Sequence, residues 1–161
     1  MIRFAVKEDL PFITEIYNEE ILKGTATFDL EPKSLEDRIQ WFNDHGENHP
    51  IIVYETEGQV VGYASLSPYR PKKAYDSSAE LSIYIHKDYQ GKGIGSKLME
   101  AILKLARENK KLHTIISVIT AENEVSCRFH EKFGFTNCGC IREVGYKFGR
   151  FLDIVTYQLI L

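Results

Sequence analysis

The sequence predicts an α/β domain with a mixed sheet (α+β in character), on three observations. Three strand-like runs follow one another in mid-chain: Ile51–Glu55, Val60–Ala64 and Glu80–Ile85. A glycine-rich turn after the third run opens a long amphipathic segment. Beyond that segment, Ile115–Ile119 is too apolar for an edge strand. It reads as a buried strand, parallel to its neighbour and reached by a helical crossover. Three consecutive strands in the middle of the chain do not suit an all-parallel doubly wound fold.

The remaining elements follow in chain order. Ile2–Val6 alternates like a short strand. Asp9 is placed to cap the next helix, whose apolar face holds Leu10, Ile13, Ile16 and Tyr17. Gly24 to Pro32 reads as a loop carrying Phe28. Ser34 and Asp37 resemble a capping box, opening a second helix to about Asn43. Thr56–Gln59 forms a hairpin turn between the first two mid-chain strands. Ile94, Leu98, Ile102 and Leu105 line one face of the long third helix. A short helix covers Glu124 to Phe133 and ends at Gly134. Two strands around Phe148-Gly149-Arg150 close the chain. The expectation is about seven strands and four helices in one domain, residues 1–161, with the core of a single domain.

Composition narrows the function classes. Of the 161 residues, 43% are hydrophobic and 27% charged, which suits a globular chain. A net charge of −3 gives no general electrostatic case for a nucleic-acid or anionic-membrane partner. No apolar run approaches the roughly 20 residues of a membrane helix, and Met1-Ile2-Arg3-Phe4 lacks a signal-peptide core. Cys127, Cys138 and Cys140 are an odd number without framework spacing, so reduced thiols in a cytoplasmic protein are expected. Cys127 reads as a small buried residue, and Cys138 and Cys140 as packing on one strand face. His45 and His49 stand four apart, but Gly46 and Pro50 argue against a helix there, so a solvated loop and no metal site are expected.

The turn Tyr89-Gln90-Gly91-Lys92-Gly93-Ile94-Gly95-Ser96 carries the chemistry. Three glycines within five residues bare the main chain, and the helix that starts here adds free N–H groups and a positive dipole end. Such a turn suits a phosphate. A P-loop is excluded, because Ser96 stands where its second glycine is needed. The dinucleotide fingerprint fails in both registers, meeting Ser96 or Leu98 in place of the third glycine.

What fits is Gln90-x-x-Gly93-x-Gly95. The run Gln90-Gly91-Lys92-Gly93-Ile94-Gly95 resembles the pyrophosphate-binding motif of the GNAT N-acetyltransferases, and the order of elements resembles the GNAT fold over essentially the whole chain. Thr27–Pro32, Ala74-Tyr75, Glu80–Ile85, His130–Phe135 and Gly145–Arg150 resemble the phosphinothricin acetyltransferase branch. The sequence departs from that branch at Phe151-Leu152-Asp153, where Trp usually stands first.

The resemblance implies acetyl-CoA as co-substrate, no metal, a homodimer, and a small amino-acid-like acceptor such as phosphinothricin or methionine sulfoximine. It implies that Gln90 to Ser96 hold the CoA diphosphate. Asn123 and Ser126 would contact the pantetheine arm and phosphates, although Asn123 also suits a helix N-cap. The main chain of Ile83, Tyr84 and Ile85 would meet the pantetheine amides and the thioester oxygen.

An amine attacking a thioester must lose a proton, and the CoA thiolate must gain one. Glu80, the one carboxylate in an otherwise mostly apolar strand run, is the candidate base, with its pKa raised by burial. His130 shares a helix face with Asn123 and Ser126. It suits an acid, a substrate contact, or a histidine donating to a backbone carbonyl. Phe28, Arg70, Tyr75 and Lys147 are candidates for the acceptor pocket, with Arg70 or Lys147 facing a carboxylate. Two other readings remain: a CoA-binding sensor without turnover, and an acetyltransferase acting on peptides or proteins.

Overall fold

The computed structural model describes every residue from Met1 to Leu161. The chain runs β1 (Ile2–Phe4), α1 (Leu10–Lys23), α2 (Leu35–Asn43), β2 (Ile51–Thr56), β3 (Gln59–Pro68), β4 (Ser78–Ile85), α3 (Ile94–Glu108), β5 (Thr114–Thr120), α4 (Glu124–Lys132), β6 (Thr136–Lys147) and β7 (Arg150–Ile160). The seven strands form one sheet in the order β1-β2-β3-β4-β5-β7-β6. Every pairing is antiparallel except β4 with β5, the two ends of the crossover through α3. The mixed sheet, its element order and its parallel crossover are as the sequence predicts.

Helices cover both faces, because both faces of the central strands are apolar. Leu98, Met99, Ile102 and Leu103 of α3 pack on Ile52, Val61, Ala64, Leu66 and Leu81 on one side. Leu10, Ile13 and Ile16 of α1 pack on Ile51, Val53, Val60 and Tyr63 on the other. A bulge decides which β3 residues face which helices. Tyr54 pairs with Gly62 but Glu55 with Val60, so Val61 is the extra residue. Beyond the bulge, Tyr63, Ser65 and Ser67 share the α1/α2 face by the two-residue period.

Local chemistry sets the ends of the elements. Ser34 Oγ accepts from the Asp37 amide and caps α2. The β2–β3 turn uses Glu57 (φ 52°) and Gly58 (φ 74°), and the β6–β7 turn uses Phe148 (φ 53°) and Gly149 (φ 73°). Two successive left-handed residues are what a tight two-residue hairpin requires.

Two expectations are corrected. Asp9 precedes α1 but does not cap it with its side chain. Its carboxylate instead accepts from the Val6 amide at 2.8 Å and pairs bidentately with Arg3 at 2.8 and 2.9 Å. Cys138 and Cys140 do not pack. Both are exposed on β6, where almost every residue is exposed.

Gly62 lies where α3 rests on the sheet. A Cβ there would meet Ile85 Cδ1 at 2.8 Å and Leu98 Cδ1 at 3.3 Å. Gly62→Ala is therefore expected to destabilise the fold by about 1–3 kcal/mol through overpacking, read from the urea midpoint.

Candidate active site

The site begins where two strands part. β4 and β5 pair only at Ser78–Thr114, Ala79–Ile115 and Glu80–Ile116. Beyond that, β4 continues along β3 as far as Ile85, and β5 continues along β7 as far as Thr120. Each strand is held by its outer neighbour and diverges from the other, so a fork opens whose apex is Glu80. Along Ser82–Ile85 the strand direction alternately aims main-chain groups into the gap. They have no partner strand there, and buried N–H and C=O groups need partners.

A cavity of about 820 Å³ fills the fork. It is lined from the α3/α4 side by Gly95, Ser96, Ser126, Phe129 and His130, and from the α1 side by Tyr17 and Glu20. The cavity therefore takes in both layers around the sheet. Its volume is typical of sites for small organic ligands.

The glycine turn forms one end. Gly91 (φ 73°) and Gly93 (φ 78°) are left-handed, and a Cβ on either would meet nothing within 4 Å. Gly93 is the N-cap of α3, and no side chain caps that helix. Its first amides are thus free and face open space, the arrangement that receives phosphate oxygens. Gln90 Nε2 donates to the Ile85 carbonyl at 3.2 Å and ties the turn to the end of β4. Gln90, Gly91, Gly93, Ile94, Gly95 and Ser96 line the cavity. Lys92 does not, and its ammonium lies 4.8 Å from the Tyr89 ring centroid.

Ile83, Tyr84 and Ile85 line the cavity from the β4 arm of the fork, and Asn123 and Ser126 from α4. Asn123 Oδ1 accepts from the Ser126 amide at 3.1 Å, so Asn123 caps α4 while bordering the cavity. His130 is buried, and its Nδ1 lies 2.7 Å from the Ser126 carbonyl oxygen. A carbonyl only accepts, so Nδ1 carries the proton and Nε2 is bare in the neutral ring. Burial lowers the basicity of this imidazole, against the opposing effect of its backbone hydrogen bond. The Glu80 side chain is half-buried at the apex, and its carboxylate makes no hydrogen bond. Burial pushes its carboxyl above the ordinary range, and only the Arg70 cation pulls the other way.

The geometry matches known enzymes. The model of the acetyltransferase (GNAT) family matches residues 12–135. The chain belongs to the GNAT acetyltransferase family. It is an acetyl-CoA-dependent N-acetyltransferase. A phosphinothricin N-acetyltransferase of Streptomyces coelicolor is 40% identical over 98% of this chain and 94% of its own length. Among solved structures, a ribosomal-protein-alanine N-acetyltransferase from Brucella melitensis superposes with a TM-score of 0.96 at 41% identity, covering 100% of this chain and 99% of that one. A GNAT phosphinothricin acetyltransferase from Sinorhizobium meliloti, in complex with acetyl-CoA, gives 0.94 at 35% identity, covering 100% and 88%.

On the acceptor side of this acetyltransferase, the four residues singled out by sequence part company. Phe28 lines the cavity, with its ring packed against Gly145, where a Cβ would come within 2.3 Å of it. Arg70 and Tyr75 are exposed on the connection before β4, outside the cavity lining, and both rings or heads rest on Tyr69. Lys147 is buried, and its Nζ donates to the Thr27 carbonyl at 2.9 Å. Desolvation lowers its pKa. Its position is that of a strut under the Phe28 loop rather than a cation in the cavity.

Sequence reasoning missed Tyr17, Thr27 and Ser67, which all line the cavity. Tyr17 was legible only as part of an apolar helix face. Its hydroxyl reaches Thr27 Oγ1 at 2.9 Å and donates to Asp29, pinning the loop of residues 24–32 over the fork. No group of three His, Cys, Asp or Glu side chains is gathered in a way that would hold a metal.

Gly93→Ala would force a left-handed alanine or a rearranged turn. Binding would then have to restore a strained conformation, so the CoA dissociation constant is expected to rise roughly fivefold or more in calorimetry.

Proposed function

We propose that this enzyme acetylates the amino group of a small amino-acid-like molecule of the phosphinothricin or methionine sulfoximine type, with Glu80 as base. The observation that carries the reading is Glu80 itself, a half-buried carboxylate with no hydrogen-bond partner at the apex of the fork. It shares one cavity with the glycine turn. The Streptomyces relative's name supports a small acceptor.

The roles follow from what each group has free. The turn amides and the α3 N-terminus would hold the diphosphate, and the open edge of β4 would hold the pantetheine chain. Their direction leads from Gly91 toward Glu80, which carries the thioester to the apex. There the acceptor's ammonium, entering from the α1 side, gives a proton to the Glu80 carboxylate. The freed nitrogen lone pair attacks the thioester carbonyl, the carbon–sulfur bond breaks, and the surplus proton on that nitrogen passes to the departing CoA thiolate, leaving the amide and free CoA. For His130, a committed Nδ1–H and lowered basicity support the part of a neutral contact through Nε2 rather than a proton reservoir. We take residues 1–161 as one acetyltransferase domain acting in the cytoplasm, where three free cysteines would stay reduced.

A homodimer belongs to the same proposal. β6 is an edge strand, and Ile141, Val144 and Tyr146 on it, with Phe148 and Phe151 at its turn, are each more than half exposed. A long apolar edge left bare invites pairing. Sedimentation velocity is expected to give a dimer, and the double variant Ile141→Lys/Tyr146→Lys a monomer. A wild-type monomer at all accessible concentrations would remove the dimer from the account.

The Brucella protein, named as a ribosomal-protein-alanine N-acetyltransferase, supports a second reading, acetylation of protein N-termini. Thiol release from acetyl-CoA, measured against amino acids, their analogues and N-terminal peptides, separates the two.

Glu80→Gln is expected to lower kcat by roughly 10²–10⁴ while CoA affinity stays unchanged. An unaltered rate would take Glu80 out of the mechanism. The carboxylate must be ionised to accept a proton, and burial raises its pKa. The log of kcat/KM should therefore fall as pH drops through a value above the ordinary glutamate pKa of about 4.3. Arg70→Gln removes the cation that opposes this shift, so the acid limb should move slightly to higher pH, and less so at high salt.

A further inference from the structure

Ser67 lies directly opposite Glu80 in the β3–β4 pairing. Opposed residues of antiparallel strands share a face, with Cβ atoms about 4.5–5.5 Å apart. Both residues line the cavity. Ser67 has one side-chain partner, His45 Nε2, at 3.2 Å. The His45 ring, expected from sequence in a solvated loop, is instead half-buried just beyond α2. It packs edge-on against Trp41 at a centroid distance of 4.7 Å.

The direction of that hydrogen bond follows from the other side of the ring. His45 Nδ1 lies 2.6 Å from the Trp41 carbonyl oxygen. The carbonyl cannot donate, so Nδ1 bears the proton. Burial holds this ring neutral, as does the Arg38 guanidinium, which sits 4.8 Å above the Trp41 ring. Asp44 and the bond to Trp41 act the other way. His49, the remaining titratable neighbour, is itself held toward the neutral form by burial. Nε2 is then a bare lone pair, and the Ser67 hydroxyl must donate to it. What Ser67 turns toward the cavity is oxygen lone pairs alone.

We propose that Ser67 and Glu80 form an acceptor-only corner that binds the substrate's amine through its N–H groups, and that His45 is the positioning residue that commits the Ser67 proton away from the cleft. The inference rests on the reading of Glu80 given above. An ammonium presents three N–H donors. One proton passes to the Glu80 carboxylate, while Ser67 keeps its own proton and continues to hold a second N–H. The lone pair created lies along the bond the proton left, and a one-third turn about the C–N bond carries it away from the corner, with the two remaining N–H groups on the Ser67 oxygen and the Glu80 carbonyl oxygen. A hydroxyl acceptor brings a single O–H and would leave one of the two acceptors unpaired, which disfavours O-acetylation.

Two measurements test this. In ¹⁵N-histidine NMR at neutral pH, His45 is expected as the neutral Nδ1–H tautomer, with an Nε2 resonance that moves in Ser67→Ala. An Nε2–H tautomer or an imidazolium would overturn the proposal whatever the acceptor proves to be. The second measurement is kinetic. It uses whichever compound among the L-amino acids, phosphinothricin, methionine sulfoximine and N-terminal peptides gives the highest kcat/KM.

Ser67→Ala should raise that acceptor's KM roughly tenfold or more, with the CoA dissociation constant unchanged and Ser67→Thr retaining most of the affinity. His45→Phe should raise the KM several-fold, and add nothing further in the Ser67→Ala background. An unchanged KM in Ser67→Ala, or effects that add in full, would refute the corner. Glu80→Gln is measured alongside. Loss of turnover there with an unchanged Ser67→Ala KM sinks only the corner, whereas full turnover in Glu80→Gln sinks the base.

Discussion

The site depends on one constraint, the early end of pairing between β4 and β5. Both strands are fixed on their outer edges, β4 by β3 and β5 by β7. Between them only three residue pairs are joined. Past Glu80 the main chain of β4 has lost one neighbour without gaining water on all sides. An edge of that kind is a ready partner for the amides of an extended ligand. The same divergence puts a carboxylate at the apex and the uncapped N-terminal amides of α3 at the mouth. In the proposed mechanism, binding and chemistry are two ends of a single gap in the sheet.

Burial does the rest of the work by changing what titratable groups prefer. Glu80 is pushed toward holding a proton. The imidazoles of His45 and His130 are pushed toward neutrality. In each histidine a backbone carbonyl fixes the proton on Nδ1 and leaves Nε2 bare. Lys147 shows the same pressure on a cation. Its ammonium is drawn under the loop by the Thr27 carbonyl, so a residue that looked like a substrate contact holds the loop that carries Phe28.

Much of the fold was legible because its signals are local. Strand alternation, the α3 stripe and the glycine turn each lie within a few residues of sequence. The Ser34 cap and the two tight turns follow from residue type alone. What escaped was set by distant contacts. Asp9 looks like a cap, but Arg3 and the Val6 amide claim its carboxylate. Cys138 and Cys140 alternate like core residues, but β6 is the outer edge of the sheet. Ser67 and His45 are 22 residues apart and meet only because a bulge at Val61 sets the phase of β3. Arg70 and Tyr75 carry the right chemistry for an acceptor pocket, yet their connection lies outside the cavity lining.

Hydrogen–deuterium exchange with and without CoA tests the fork most directly. The account requires new protection in two stretches, Ser82–Ile85 on the open edge of β4 and Gly91–Ser96 in the turn, with the β6 edge unchanged by the ligand itself. Protection confined to other parts of the chain, with both of these stretches exchanging as freely as before, would contradict it.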